Sequence, residues 1–296
     1  MEKFRLIPLL TAAVMGCTAL LAGCGKGSDS SSKAEEGAKT SDDGSINKDL
    51  TATELARLLG NGTNLGNTME AYGHKSYSAD TDPESFETLW GQPVTTEEMI
   101  KGMKASGFDS LRVPVAWTNA MEYEKGDYTI NEAYLDRVEE IINYALDNDM
   151  YVIINDHWDG SWWGMFGSSE QSDVDKAFEM YKSMWTQIAN RYKKYSDRLI
   201  FEGANEELGD RLNDTDVCKN SGSLSKAECY EMANKINQTF VDTVRATGGN
   251  NEQRFLLIAG YNTDITMTCS NKFQMPTDKI GRASCRERVE ISVVDV

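Results

Sequence analysis

Short apolar runs recur along the chain and alternate with longer segments whose apolar residues have helical periodicity. Alternation of strand and helix predicts a parallel sheet with helices packed outside it. A doubly wound sheet shares this alternation, but no glycine-rich phosphate loop follows the first run. The pattern therefore favours an α/β fold of the TIM (β/α)8 type, incomplete, with about five of the eight βα units. The five predicted strands span 63–68, 109–115, 151–155, 199–204 and 254–260.

Residues with capping chemistry mark where helices begin. Thr95 with Glu98 forms a predicted capping box for a helix that Gly107 ends. Trp185 falls on the apolar stripe of a later helix and is predicted to be core. Further helices are predicted to begin at Asn131, Asp173 and Ser225.

Polar or aromatic residues stand where four of the predicted strands end, and parallel strands bring those ends to one face of a barrel. The remaining strand carries Arg112 within it, and a buried arginine requires carboxylate partners nearby. The four residues at strand ends are Asn67, His157, Glu206 and Tyr261.

The segment 199–208, LIFEGANEEL, begins as an apolar run and ends in acids and an amide. A carboxyl group at the edge of an apolar core has its neutral form favoured, which is the state a general acid needs. We therefore expect Glu206 to act as an acid and Asn205 to bind a sugar hydroxyl. A strand that ends in a solvated acidic turn is the alternative.

The net charge of −17 and the pI near 4.6 argue against nucleic acid and anionic membrane as partners. No metal-ligand spacing occurs, and no cofactor is expected. Cys218 and Cys229 flank a polar loop, and they could form a disulfide in an oxidising compartment or remain two unpaired thiols.

The N-terminus predicts export. Lys3 and Arg5 precede an apolar run that ends in Leu-Ala-Gly-Cys at 21–24, which resembles a bacterial lipobox. We expect a signal peptide over 1–23 and lipid on Cys24, which anchors the protein at the cell surface and is its only link to the membrane. Residues 24–48 contain almost no apolar side chain and are predicted to form a disordered tether.

The region from about 50 to 279 resembles bacterial glycoside hydrolase family 5, the clan A cellulase family with a TIM barrel. The motifs that carry the resemblance are NLGNT at 64–68, WGQP at 90–93, RVPV at 112–115, YVIINDHWDG at 151–160 and LIFEGANEE at 199–207. Their order along the chain matches the family and predicts a hydrolase domain over 49–279.

The resemblance implies a role for each matching residue. Glu206 becomes the acid/base, Asn205 its substrate-positioning neighbour, Arg112 the arginine that orients the nucleophile, and His157 the histidine beside the catalytic centre. Glu202 is expected deeper in the barrel, paired with Arg112. Where the family usually reads Asn-Glu-Pro this chain has Glu207, and where many members have a second histidine it has Trp158.

Several aromatic residues fall near predicted loop ends rather than at helical spacing. Exposed rings near a carboxylate suit stacking on the apolar face of a sugar. Each of these rings could instead pack inside the protein. His157 could likewise be a core histidine. The residues predicted to bind substrate are Asn67, Trp117, Trp158, Trp162 and Tyr261, with Trp163 in the same cluster.

A retaining glycosidase needs a second carboxylate about 5–5.5 Å from the first. The family places this nucleophile near the end of strand seven, and we find no such element before residue 280. Residues 280–296 resemble the translation of a sequencing-library adapter, and are expected to be a non-native, poorly packed tail; a divergent C-terminus is the alternative. The chain itself is therefore expected to be an inactive, marginally folded fragment with exposed inner strand faces.

Together these features predict a lipid-anchored, secreted, monomeric, retaining endo-β-1,4-glucanase that hydrolyses β-glucan. A surface lipoprotein that binds oligosaccharide without catalysis is an alternative from another class. A related hydrolase of mannan, xylan or xyloglucan is a further alternative, which the sequence alone does not distinguish.

Overall fold

Seven parallel strands form one sheet in the order β6-β5-β4-β3-β2-β1-β7. The computed structural model describes residues 40–157, 159–214, 222, 224–285 and 293–294, which lie in a unit that spans Ala38–Val296. Chain order and spatial order agree from β1 to β6, as in a singly wound α/β barrel. The strands are β1 (Gly62–Asn64), β2 (Ser110–Val113), β3 (Tyr151–Asn155), β4 (Leu199–Glu202), β5 (Leu256–Ile258), β6 (Ala283–Cys285) and β7 (Val293–Val294).

Seven α-helices occur in the described part of the chain: α1 (Ala52–Leu58), α2 (Pro83–Glu87), α3 (Glu97–Ala105), α4 (Glu132–Asp147), α5 (Gln171–Tyr192), α6 (Lys226–Ala246) and α7 (Ile265–Thr268).

The predicted caps of α4 and α6 are confirmed, since Asn131 accepts from Ala133 N–H and Ser225 forms a capping box with Glu228. The predicted start of α3 is wrong by one residue. Thr96 caps it by accepting the backbone N–H of Met99, while the backbone N–H of Thr95 donates to the buried carboxylate of Glu87. Helix α5 begins two residues before Asp173.

Alternate residues of the central strands face two different cores. One set of side chains, among them Val152 and Phe201, packs against the helices, and Trp185 of α5 is fully buried there as predicted. The other set points into the barrel, where Ile153 and Ile200 pack with Phe255 and with Leu55 of α1. Helix α1 thus covers the inner faces of the strands.

The expectation that the inner strand faces are exposed is therefore wrong. Ile153 is 2% exposed and Ile200 is 0% exposed, because α1 and Phe255 shield them. All five strands predicted from the sequence are present, although β1 ends at Asn64, three residues before Asn67.

Two described parts of the C-terminal segment, 280–285 and 293–294, differ from the prediction of a poorly packed tail, and the rest of that segment lies outside the described residues. Residues 283–285 pair in parallel with β5, and 293–294 pair with β1. Three backbone N–H groups at 280, 282 and 283 donate to the carboxylate of Asp278, which fixes the entry into β6. The non-native origin of residues 280–296 stays a prediction.

The predicted tether extends too far toward the domain, because residues 40–50 lie across the amino-terminal ends of the strands. Asp42 accepts hydrogen bonds from the backbone and hydroxyl of Ser196, and the N–H of Asn47 donates to Asp197. The carbonyl oxygen of Asn47 accepts from the Arg282 guanidinium at 2.6 Å. We call residues 40–50 the N-terminal strap. The rest of the predicted tether, the signal peptide and Cys24 lie outside the described residues.

Among the described helices, none combines the length and the apolar character that crossing a bilayer requires. Cys229 is buried in α6 with a free thiol, and its predicted partner Cys218 lies outside the described residues. The disulfide stays a prediction.

Candidate active site

A buried hydrogen-bonded group joins the carboxyl ends of β2 and β4. The Arg112 guanidinium donates to both carboxylate oxygens of Glu202, at 2.6 and 3.0 Å, and to the amide oxygen of Asn205 at 2.8 Å. Arg112 is 7% exposed and Glu202 is 0% exposed. The prediction that Glu202 pairs with Arg112 inside the barrel is confirmed. Because the amide oxygen of Asn205 is engaged by Arg112, the orientation of that amide is fixed.

Glu206 lies four residues beyond the end of β4, in an irregular segment. Its side chain is 54% exposed and forms an ion pair with Arg211 at 3.2 Å. The neighbouring Glu207 turns inward instead, is fully buried, and accepts the backbone N–H of Asn205 at 2.7 Å. The expectation that Glu206 sits at the edge of an apolar core is therefore wrong.

His157 stands two residues beyond the end of β3 and is half-buried. Its Nδ1 lies 3.3 Å from the side-chain nitrogen of Asn155, and its backbone N–H donates to the carbonyl of Val115. Asn155 is fully buried, so the ring is anchored from the barrel interior. β3 is the hydrogen-bonded neighbour of both β2 and β4, which places His157 on the same barrel face as Asn205.

The expectation of exposed tryptophans is wrong for the described members of the cluster. Trp117 is fully buried, and its Nε1 donates to the carbonyl of Asn155 at 2.8 Å. Trp162 and Trp163 are 0% and 1% exposed and stack on each other with ring centroids 4.6 Å apart. These rings pack inward because the segment 159–167 forms a 3-10 helix against α5. Trp158 lies outside the described residues.

Tyr261 also differs from the expected open stacking surface. Its ring is fully buried, stacks on Tyr230 at 3.7 Å and is held by a hydrogen bond to Asp210 at 2.7 Å. Both faces of a ring packed in this way are unavailable to a sugar unless the loop rearranges. Among the described tryptophans, the exposed one is Trp90, at 44%.

Asn67 is exposed three residues beyond the end of β1 and has a left-handed backbone with φ of 61°. The carboxylate of Glu70 accepts the backbone N–H groups of Asn67 and Thr68 and so stabilises this turn. Burial raises the pKa of Glu70. No pattern in the sequence marks Glu70, because its role in the turn is recognisable only once its burial is known.

A second feature missed by the sequence analysis is a pair of fully buried carboxyl groups, Asp156 and Asp159, on either side of the histidine. Asp159 accepts the backbone N–H of Thr118 at 3.0 Å and its hydroxyl at 2.5 Å. Burial raises the pKa of Asp159 to about 6. Burial, followed by the nearby charge of Asp159, raises the pKa of Asp156 well above its usual range. The hydrogen bonds from Thr118 favour Asp159 as the ionised member and Asp156 as the protonated one.

This pair makes folding stability depend on pH. Since the folded state holds these protons more tightly than the unfolded chain, the stabilisation is complete below about pH 4 and falls as the pH rises through about 6. The expected slope is about 1.4 kcal/mol per pH unit for each retained proton. We expect Asp156→Asn, which is neutral and nearly isosteric, to flatten this slope. Urea unfolding at pH 5 and pH 8 measures it, and an unchanged slope would contradict the assignment.

No group of three or more possible metal ligands occurs within the part of the chain that the structure describes. Carboxylates, amides and one histidine are the polar side chains described above at this face, around the carboxyl ends of β1 to β4. Such groups can bind hydroxyls and transfer protons.

Comparison with known proteins identifies the chain by family. Residues 72–284 match the family model described as cellulase, glycosyl hydrolase family 5. A xyloglucan-specific endo-beta-1,4-glucanase of Bacteroides ovatus is 40% identical over 234 residues, covering 78% of this chain and 43% of that protein. Endoglucanase A of Paenibacillus barcinonensis is 37% identical over 255 residues, covering 83% of this chain and 58% of that protein.

A solved structure of a broad-specificity GH5-4 endoglucanase from Clostridium longisporum aligns with a TM-score of 0.68 at 34% identity, covering 80% of this chain and 63% of that one. The chain thus spans about half the length of the curated relatives named above. The family match covers more than half of this chain and includes β2 to β5 with the Arg112, Asn205 and Glu206 positions. The chain belongs to glycosyl hydrolase family 5, the cellulase family.

Proposed function

We propose that this chain is the acid/base-bearing part of a secreted, retaining endo-β-1,4-glucanase that cleaves β-glucan. The observation that supports this most directly is the Arg112–Glu202–Asn205 group, which holds an amide in a fixed orientation immediately before Glu206. In a chain of this family, such an arrangement aligns a sugar hydroxyl beside a proton donor. A protein that only binds oligosaccharide has no need of a carboxyl group at that place.

In the proposed mechanism, Glu206 protonates the leaving glycosidic oxygen and then removes a proton from the attacking water. Its ion pair with Arg211 is exposed on both sides, 54% and 40%. Such pairs contribute about 1 kcal/mol or less, so a bound sugar can displace the arginine. Asn205 binds a hydroxyl of the sugar, and His157 lies along the same face.

The retaining mechanism also requires a nucleophile about 5–5.5 Å from the acid. Glu202 is engaged by Arg112, and Glu207 is buried against the backbone of Asn205. We therefore assign neither as nucleophile, and place that role on a glutamate outside this chain, with Arg112 as its neighbour. On this proposal the chain alone is inactive.

Xyloglucan is a second candidate substrate, because the Bacteroides ovatus relative is described as xyloglucan-specific. The test is to assay the product of the complete reading frame on β-glucan, xyloglucan, xylan and mannan. An endo-acting enzyme lowers the viscosity of a polymer well before reducing ends accumulate. Absence of any viscosity loss on all four polymers would contradict the proposed function, and the polymer that thins fastest identifies the substrate.

We further propose that lipid on Cys24 anchors the protein at the cell surface. The support is the Leu-Ala-Gly-Cys sequence at 21–24, followed by polar residues. We expect the wild-type protein to fractionate with membranes of a bacterial host and Cys24→Ala to be released, since the acyl chains are the only membrane contact proposed. Ser28→Ala serves as the control. Equal release of wild type and Cys24→Ala would contradict the anchor.

A further inference from the structure

Two loops at the carboxyl-end face of the barrel are hydrogen-bonded to each other. One follows β4 and carries Glu206, and the other follows β5 and carries Tyr261 and Asn262. The backbone N–H of Asn262 donates to the carbonyl of Leu208 at 2.7 Å, and the backbone N–H of Asp210 donates to the side-chain oxygen of Asn262 at 2.8 Å. The Asp210 carboxylate accepts from the Tyr261 hydroxyl at 2.7 Å and from the Asn262 amide at 2.8 Å. We call these four hydrogen bonds the clasp.

The backbone at the clasp is strained. Asn262 and Thr263 are consecutive left-handed residues with φ of 53° and 48°, a conformation that is uncommon outside glycine and most of all for a β-branched residue. On the other loop, Gly209 has φ of 143°, and an added Cβ would stand 2.0 Å from the Oδ1 of Asn262. Strained backbone persists only where surrounding contacts determine it, so the clasp is a rigid joint between the two loops.

The joint is supported from the helical layer and includes a charge. Tyr261 stacks on Tyr230 of α6 with ring centroids 3.7 Å apart, and the Tyr230 hydroxyl donates to the carbonyl of Met267 in α7. The hydrogen bond from Asn262, followed by that from Tyr261, lowers the pKa of Asp210. Its carboxylate is therefore ionised near neutral pH, and charge-assisted hydrogen bonds are stronger than those between neutral groups.

The clasped residues lie between the two members of the ion pair that includes the expected acid. Glu206 stands two residues before Leu208, Arg211 directly follows Asp210, and the side chains of Glu206 and Arg211 pair at 3.2 Å. Glu206 is 54% exposed and lies on irregular backbone. Its position therefore depends on the backbone of residues 206–211, which the clasp joins to the loop after β5.

We propose that Asn262 is a positioning residue that acts through Glu206, because the clasp fixes the segment of Glu206 relative to Asn205. The inference rests on the proposed function, in which Glu206 is the proton donor. A proton donor must lie within about 2.6–3.2 Å of its acceptor, and a misplacement of about 1 Å can lower a rate about 100-fold. Loosening the clasp should therefore slow the reactions that need this proton and spare those that do not.

Amide hydrogen exchange measures the clasp in the full chain without requiring turnover. Asp210 is an exposed residue, so slow exchange of its backbone N–H depends on the acceptor that Asn262 supplies. We expect this exchange to be roughly 10-fold faster in Asn262→Gly, which tolerates the left-handed backbone but lacks the side-chain bonds. Exchange at Asp210 of the wild type as fast as in an unstructured peptide would overturn the inference.

The effect on the reaction is tested in the protein made from the complete reading frame. Asn262→Asp places a second carboxylate against Asp210 and should lower kcat/KM on unactivated β-glucan about 10- to 100-fold. For an aryl β-cellobioside with a good leaving group, kcat/KM reports formation of the glycosyl intermediate and should change by about 2-fold or less. The double variant Asp210→Asn with Asn262→Asp reverses donor and acceptor and keeps the net charge, so it should recover most of the lost rate.

The outcomes separate a positioning role from a structural one. Asp149→Gly is the matched control for Asn262→Gly, since Asp149 also has a left-handed backbone, with φ of 55°, but precedes β3 at the opposite end of the barrel. Equal losses on both substrates, or no recovery in the folded double variant, would overturn the inference. Asn262→Gly carries the same kinetic expectation if Asn262→Asp does not fold. If Glu206→Gln is selectively impaired while Asn262→Asp is not, the positioning role is wrong and the proposed function stands; if Glu206→Gln is unimpaired, both fail.

Discussion

We expect Glu206→Gln to lower hydrolysis of unactivated β-glucan by a factor of about 10²–10⁴ in the protein made from the complete reading frame. The glutamine is isosteric but cannot donate a proton to the departing oxygen. Aryl glycosides with good leaving groups need no such proton, and formation of the glycosyl intermediate from them should be nearly unchanged. The side chain is exposed in an irregular segment, so folding should not suffer.

The measurement is the ratio of initial rates on the two classes of substrate. Glu231→Gln, which removes a carboxylate from the exposed face of α6, is the matched control and should leave the ratio unchanged. Wild-type rates of Glu206→Gln on both substrates would show that another group supplies the proton. Arg211→Met separates the effect of the ion pair from that of the acid.

We expect Arg112→Met to destabilise the fold by about 3–5 kcal/mol, because it leaves the buried carboxylate of Glu202 without a counter-charge. This is a large share of the 5–15 kcal/mol by which a typical domain is stable. The Asn205 amide also loses the donor that fixes its orientation. The urea midpoint and slope measure the loss.

Replacing both partners, in Arg112→Met with Glu202→Met, should cost less than the single change, since no unpaired charge remains buried. The matched control is Lys101→Met, which breaks an exposed ion pair with Glu97 and should cost about 1 kcal/mol or less. If Arg112→Met proved no more destabilising than Lys101→Met, the barrel interior would be far more hydrated than its burial indicates.

The sequence predicted the five central strands and the ion pair between Arg112 and Glu202 for one physical reason. Parallel strands buried on both faces must be apolar, so an arginine and an acid inside them have to meet. The caps at Asn131 and Ser225 were likewise predictable, because a helix start needs a local acceptor for its free N–H groups.

Side-chain direction beyond the strand ends was not predictable. Glu206 faces solvent while Glu207 faces the core, and nothing in an Asn-Glu-Glu sequence distinguishes the two. Trp162 and Trp163 have no helical spacing relative to their partners, so their burial against α5 depends on tertiary packing. The roles of Glu70, which follows the first motif, and of the Asp156–Asp159 pair, which lies within the third strand's motif, are recognisable only when burial is known.

The contact between the N-terminal strap and Arg282 bears on how the polypeptide is assembled during synthesis. Asn47 and Leu50 are bound through their carbonyl oxygens by a residue that lies 235 and 232 positions later. At about 5–20 residues per second, that partner leaves the ribosome roughly 10–50 s after the strap does. Loop closure itself is faster by many orders of magnitude. Elongation therefore sets the earliest time at which this end of the barrel can be sealed, and until then the nascent chain keeps its early helices and strands with one of their covers not yet in place.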